Sequence, residues 1–227
     1  MVIVCRQILA ESRDRFLLAL LGKSTNLPWM KYREIEIIRE LLTALKPARC
    51  LEWGAGYSTL LFPAQLEKGA QWLSVEHDEE WARRIQTQNQ RPNVRVILAA
   101  PNRPDWAATS RDGTYEDFRN YIEYPTPFAP FDFILVDGRA RNACLSKAQE
   151  LLTARGVVVL HDANRTSYHE AFPRFAHQLF FGDGRRQGGV WVGSTGIGLT
   201  DLLDLDTHDR VWRIHRGIRK LTHLKLK

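Results

Sequence analysis

Apolar residues recur along this chain with two different periods, and the way those periods alternate orders its elements. Between 3 and 21, Ile8, Leu9, Phe16, Leu17, Leu20 and Leu21 fall at helical spacing with Glu11, Arg13 and Asp14 facing away, which predicts a leading helix. A second helix is predicted where Ile35, Ile38, Leu41, Leu42 and Leu45 recur, and it must stop before Pro47. Short apolar runs then alternate with amphipathic stretches. Strands at 49–53, 72–76 and 94–99 are separated by helices at 58–66 and 79–88.

Residues 101–130 break this rhythm. Pro101, Pro104, Pro125, Pro127 and Pro130 are interleaved with Trp106, Tyr115, Phe118, Tyr121 and Tyr124, which reads either as a lid or substrate wall or as an irregular packed loop with a short helix at 115–122. The alternation then resumes with a strand at 131–138, a helix at 143–152 closed by Gly156, and a strand at 157–162. A helix at 168–179 is interrupted or restarted near Pro173. The glycines at 182, 184, 188 and 189, followed by 190–195, predict two closing strands joined by a polar loop. The layout is α/β: a mostly parallel seven-stranded sheet with a C-terminal antiparallel hairpin.

The candidate chemistry begins at Leu51-Glu52-Trp53-Gly54-Ala55-Gly56-Tyr57-Ser58-Thr59. An acid ends a strand, two glycines let the backbone turn closely against a ligand, and Ser58 and Thr59 open a helix whose first N–H groups are unpaired. About twenty residues on, Trp72-Leu73-Ser74-Val75-Glu76-His77 delivers Glu76 where a ribose diol needs an acceptor. The unit reads as nucleoside-binding. A dinucleotide fingerprint would carry a third glycine where Thr59 stands, so that fingerprint is incomplete.

The acid, Gly, Gly spacing resembles the first motif of the class I S-adenosylmethionine-dependent methyltransferases, over roughly residues 33 to 197. The resemblance implies a Rossmann-like methyltransferase sandwich with S-adenosylmethionine as cofactor. It puts Glu52, Gly54, Ala55, Gly56 and Ser58 on the methionyl side, Glu76 on the ribose and His77 near the adenosine.

In open parallel sheets, ligands sit beyond the carboxyl ends of the strands. Two polar clusters lie there: Asp137-Gly138-Arg139, and His161-Asp162-Ala163-Asn164-Arg165. Asp137, His161 and Asp162 are the catalytic candidates, with His161 and Asp162 able to supply a base for a hydroxyl acceptor; the alternative for His161 is a satisfied core imidazole, and for Arg139 and Arg141 solvated helix-start positions. Asp137, Asp162 and Asn164 resemble the oxygen-ligand set of metal-dependent catechol-type O-methyltransferases, although Ala163 intervenes where that family has Asn directly after Asp. A divalent metal is therefore possible but no metal ligand is assigned, because two acids near a cleft are more often hydrogen-bonding residues. Val136-Asp137-Gly138-Arg139-Ala140-Arg141, Leu160-His161-Asp162 with Arg165, and Tyr121-Ile122-Glu123-Tyr124-Pro125 resemble bacterial relatives of the glucuronoxylan O-methyltransferase group. That resemblance implies a small-molecule or saccharide hydroxyl as acceptor.

Charge and composition sharpen the picture. At 227 residues and 44% hydrophobic content the chain suits one catalytic domain, 33–200, with an N-terminal helical extension, 1–32, and a basic tail, 201–227. Cys5, Cys50 and Cys144 are odd in number and sit in apolar or helical patterns, which predicts reduced thiols and a cytoplasmic location. No apolar run reaches transmembrane length, and the N-terminus becomes charged too soon for a signal peptide. Residues 209–227 hold Arg210, Arg213, Arg216, Arg219, Lys220, Lys225 and Lys227 against Asp209 alone, so they carry the whole net charge of +6. This tail either docks an anionic surface or is a terminal helix with its apolar side on the domain. It also favours a nucleic-acid methyltransferase as a rival, against which stands the lack of an Asn-Pro-Pro-Tyr-type motif. A non-catalytic binding module is the remaining alternative, opposed by the presence of Glu52, Glu76, Asp137 and Asp162. Oligomeric state is not legible.

Overall fold

The structure, a computed structural model, describes residues 27–106, 111–182, 184 and 186–222. Helix α1 (Tyr32–Leu45) begins where Glu34 reaches back to accept the Lys31 N–H at 2.8 Å, the return bond of a capping box. The chain then runs β1 (Arg49–Trp53), α2 (Tyr57–Leu61), β2 (Gln71–Glu76), α3 (Glu79–Gln88), β3 (Val94–Leu98), α4 (Arg119–Glu123), β4 (Phe131–Val136), α5 (Arg141–Leu151) and β5 (Leu152–His161). It closes with β6 (His177–Phe181), β7 (Val190–Ser194) and α6 (Leu205–Thr222).

These strands form a seven-stranded sheet in the order β3-β2-β1-β4-β5-β7-β6. The first five are mutually parallel, while β7 runs antiparallel to β5 and β6 antiparallel to β7. The expected mostly parallel sheet with an antiparallel C-terminal pair is thus the observed one. Stretches buried on both faces, such as Val157–Leu160 of β5, read as unbroken apolar runs because helices cover each side. One face packs Cys144, Leu145 and Ala148 of α5 with Phe118, Tyr121 and Phe175; the other packs Ile35, Ile38, Leu41 and Leu42 of α1 with Phe62, Ile85 and Trp212. Cys50 and Cys144 are buried free thiols.

Several boundaries move, each for a local reason. The helix expected over 58–66 is α2 followed by a 3-10 turn, Phe62–Gln65, because Pro63 has no N–H to continue the α-helical ladder. Gly156 does not close a helix. It lies inside β5 at an irregularity in the pairing with β4, where a Cβ would stand 2.9 Å from the Phe131 carbonyl oxygen. The helix expected at 168–179 is instead a 3-10 segment, Thr166–Arg174, ending at Pro173 and its neighbour, after which His177–Phe181 pairs with β7 as the edge strand. The short helix of the aromatic insertion is Arg119–Glu123, and the insertion packs inward through Phe118, Tyr121 and Ile122. The leading helix and Cys5 lie outside the described residues. Among the described residues, no helix is long and apolar enough to cross a membrane.

The described part of the basic tail is α6. His208, Val211, Trp212 and His215, spaced along one helical stripe, are buried, and Arg210, Arg213 and Arg216 are exposed. The Arg33 guanidinium lies over the Trp212 ring at 4.5 Å, and His208 Nε2 lies 2.6 Å from Glu40 Oε2, so α6 is fastened to α1.

β1 and β4 approach so closely at their carboxyl ends that a Cβ on Gly54 would stand 2.6 Å from the Gly138 backbone, and Gly54 itself has φ +99°. Gly54→Ala is therefore expected to destabilise the fold by about 1–3 kcal/mol from backbone strain alone, before any clash is relieved. Urea unfolding of the variant against the native protein measures this, and an unchanged midpoint would refute the assigned close approach.

Candidate functional site

The order of strands reverses between β1 and β4, the point beyond whose carboxyl ends open parallel sheets place the crevice for their ligands. On the β1 side, the turn Gly54-Ala55-Gly56 is pinned from two directions. Gly54 N donates to Val75 O at 2.8 Å, and Trp81 Nε1 donates to Ala55 O at 2.6 Å. Trp81 in turn packs against Tyr57 and Trp29, the latter 84% exposed at the lip of the turn.

Glu52 and Ser58, expected on the methionyl side, are placed behind the turn instead. The Glu52 carboxylate is fully buried and accepts from Thr59 Oγ1 at 2.6 Å, Trp72 Nε1 at 3.0 Å, Ser74 Oγ at 2.9 Å and the Ser58 hydroxyl. Burial pushes its pKa up to about 7, against the opposing pull of those four donors. With both oxygens occupied, this carboxylate ties the start of α2 to β2, and direct ligand contact does not fit.

Glu76 ends β2 one strand away. Its Oε1 accepts the backbone N–H groups of His77 at 2.8 Å and Asp78 at 2.9 Å, and His77 Nδ1 lies 2.7 Å from the same oxygen. All these contacts leave Oε2 to other partners. The His77 ring stands edge-on to Phe118 and Tyr121, with centroids 5.5 and 6.1 Å away, so behind His77 the insertion forms an aromatic wall buried in the core.

On the β4 and β5 side, the structure brings Asp137, His161 and Asp162 together. His161 is buried between two carboxylates, with Nδ1 2.8 Å from Asp137 Oδ1 and Nε2 3.2 Å from Glu34 Oε2. Burial alone would strip its proton, but the charges and hydrogen bonds of Asp137 and Glu34 overcome this and raise its pKa to about 10. With a carboxylate at each ring nitrogen, the surroundings favour the protonated ring over the base role expected for His161.

Asp162 has φ +61°; its Oδ1 accepts the Gly188 N–H at 2.6 Å and its Oδ2 lies 2.8 Å from Arg165 Nη2. Burial raises its pKa, but His161, Arg141, the Gly188 amide and Arg165 together bring the net below the usual carboxylate value. Asp162 thus holds the loop after β6 as a structural anion.

Arg141 is no solvated helix-start residue. Nearly buried, it donates from Nε to Gly138 O at 3.0 Å, from Nη2 to Asp137 O at 3.1 Å, and from Nη1 to His161 O, with Nη2 also 3.3 Å from Asp137 Oδ1. It joins the two strand ends. The contacts of His161 and Arg141 to the Asp137 carboxylate both fall on Oδ1, at 2.8 and 3.3 Å.

The possible metal set does not fit this arrangement. Asp137 and Asp162 already face His161, Arg141 and Arg165, and Asn164 Nδ2 donates to Gln187 O at 3.2 Å, on the loop rather than toward the acids. Among the described residues, no group of three His, Cys, Asp or Glu side chains converges on one point. A divalent ion there would have to displace resident cations.

Glu34 and Arg141 were missed as site residues. Glu34 stands one helical turn before Ile38, on the same stripe as Leu41 and Leu42, and a carboxylate on an apolar stripe is the signal that could have found it.

No protein-family model and no curated protein matches this chain. Solved structures do. A methyltransferase-like protein from Silicibacter pomeroyi is 22% identical and superposes with a TM-score of 0.55, over 83% of this chain and 98% of that one. An O-methyltransferase from Bacillus cereus in complex with SAH is 17% identical, with a TM-score of 0.54 over 81% of this chain and 97% of that one. Spermidine synthase from Thermotoga maritima is 14% identical, with a TM-score of 0.52 over 86% of this chain and 75% of that one. The fold is that of the Rossmann-like methyltransferases.

Removing His161 would leave the Glu34 and Asp137 carboxylates facing each other in the interior. His161→Leu is expected to lower the unfolding free energy by about 3–5 kcal/mol at pH 7. Because the folded-state pKa of His161 is raised, its contribution is full below its ordinary value of 6.5 and is lost as pH climbs toward about 10. Urea titrations between pH 6 and 10 should therefore show the native protein losing stability across that window and the variant losing less. Parallel curves would refute the pairing.

Proposed function

We propose that this protein is an S-adenosylmethionine-dependent methyltransferase that methylates a hydroxyl oxygen of a small molecule or saccharide. The observation that carries the reading is Glu76, whose Oε1 is anchored by two backbone amides beside the glycine turn of β1, at the crevice where the strand order reverses. That donor set suits a nucleoside bearing an amino-acid tail. Backbone groups of Gly54, Ala55 and Gly56 would meet the tail, Glu76 Oε2 the ribose diol, and His77 with the aromatic wall the base. Glu52 and Ser58 act from behind by shaping the turn. Support also comes from the Bacillus cereus neighbour, an O-methyltransferase with SAH. Fold alone would not decide the reaction, since a spermidine synthase shares it.

When bound, the cofactor supplies an electrophilic methyl group on sulfonium sulfur. The chain's own task is to hold the acceptor oxygen in line and to take its proton as the O–C bond forms and the S–C bond breaks. We assign this to Asp137. Its side chain is 21% exposed, against 16% for Asp162, 4% for Glu76 and 1% for Glu34, and the approaches of His161 and Arg141 both fall on Oδ1. His161 and Asp162 then serve the reaction by position: the first orients Asp137, the second holds the loop at Gly188.

Calorimetry with S-adenosylhomocysteine tests the cofactor half. The native protein should bind it, and Glu76→Ala should weaken binding by about 1–3 kcal/mol while remaining folded, through loss of charge-assisted hydrogen bonds. Equal affinity in a folded variant would reject the ribose assignment. For the chemical half, a panel of phenolic and sugar hydroxyls is offered with labelled S-adenosylmethionine, and Asp137→Asn should lower turnover on any acceptor so found by about 10²–10⁴-fold. Undiminished turnover would move the proton acceptor elsewhere.

A further inference from the structure

Glu34 is a fully buried acid outside the proposed chemistry, and its partners come from three separate parts of the chain. Oε2 accepts the Lys31 N–H at 2.8 Å and lies 3.2 Å from His161 Nε2; Oε1 accepts the Gly189 N–H at 2.9 Å and lies 3.1 Å from Lys31 Nζ. One carboxylate therefore joins the start of α1, the end of β5 and the loop before β7. Each oxygen meets one N–H and one further nitrogen, so the group is saturated. A lone helix-capping acid would need only the Lys31 contact and would lie at the surface.

The charges around His161 show what Glu34 adds. Asp137 faces the ring from β4, Glu34 from α1, and Lys31 stands behind Glu34; Arg141 donates to the His161 carbonyl and lies beside Asp137 and Asp162. With Asp137 as its sole partner, the ring would need that one carboxylate to balance its charge. Two carboxylates share the imidazolium instead, one at each nitrogen.

We propose that Glu34 is a positioning residue for the proposed transfer: by gripping His161 Nε2 from the far side, it keeps the ring doubly protonated with Nδ1–H aimed at Asp137 Oδ1, so that Asp137 presents Oδ2 as a charged proton acceptor. The same grip closes Gly189 onto α1, so the first helix and the hairpin loop form one wall of the acceptor side. This rests on the methyltransferase reading for its purpose, and on the Glu34 geometry alone for its structural content.

The test is nitrogen-15 NMR of the full chain at pH 7, observing the His161 ring N–H groups, together with the Gly189 amide. In the native protein both ring N–H protons should be present and slow to exchange. Glu34→Gln keeps the shape but removes the charge, and it should speed exchange of the Nε2 proton by about tenfold or more and shift the Nδ1–H signal, with S-adenosylhomocysteine affinity unchanged within about twofold. A role confined to packing would lower the melting temperature and leave the ring signals in place, and that result overturns the proposal. So does a native ring carrying a single proton at pH 7, a reading that needs no variant and stands even if Glu34→Gln does not fold. If the native protein shows the doubly protonated ring but binds no S-adenosylhomocysteine, the methyltransferase reading fails and the Glu34 clamp survives it.

Discussion

The backbone contact between Gly54 and Gly138 is the constraint around which the remaining site is arranged. Neighbouring strands lie about 4.8 Å apart, and just beyond the paired ends each glycine would strike the other's backbone if it carried a Cβ, at 2.6 Å in one direction and 2.9 Å in the other. Asp137 N donates to Trp53 O at 2.9 Å just before this point, so the two strands stay paired up to the crevice itself. The Tyr121 hydroxyl occupies the space where a Gly138 side chain would begin, and this draws the aromatic insertion over the crevice. Backbone, acid and aromatic wall are therefore placed by one close approach.

The two sides of the crevice solve the burial of charge differently. Glu52 is surrounded by neutral donors, two of them hydroxyls from α2, and burial still raises its pKa to about 7, so neutral hydrogen bonds only partly replace water. On the other side, Glu34 and Asp162 have cations within reach, and burial is overcome: the Glu34 carboxyl is held well below its ordinary range by His161 and Lys31, and Asp162 is lowered by His161, Arg141, the Gly188 amide and Arg165. Buried ion pairs of this kind add little net stability compared with apolar packing, yet losing one member is costly. Across α1, β4 and β5 their contribution is the geometry they impose more than the energy they supply.

Much of the fold was legible because its signals are local. Apolar runs such as Val157–Leu160, buried in the sheet, and the helical stripe of α1 each report their own burial. The errors share a different cause. Gly156 reads as a helix stop in sequence but is a strand residue because Phe131 lies across from it, and the edge strand His177–Phe181 exists because β7 is there to pair with it. Within the site, the sequence brought out Asp137, His161 and Asp162 from their place after apolar strands. It could not show that His161 meets Glu34, 127 positions away, and that encounter adds a second carboxylate to the one that Asp137 sets against the ring.

The tail shows the same limit from the other direction. Concentrating the whole net charge in 19 terminal residues looks, in sequence, like a device for an anionic partner. In the described part of α6 that composition has an internal explanation: His208, Val211, Trp212 and His215 supply a buried stripe, and a helix of this kind must put its remaining positions in water. Arg213 and Arg216 lie near Asp209 on that exposed side, contacts of small energetic weight in solvent. What fastens α6 is the stripe with Arg33 stacked on Trp212, so the helix braces α1 along the same element that carries Glu34 to His161. The outer charge can then vary without disturbing the site, whereas the inner stripe cannot.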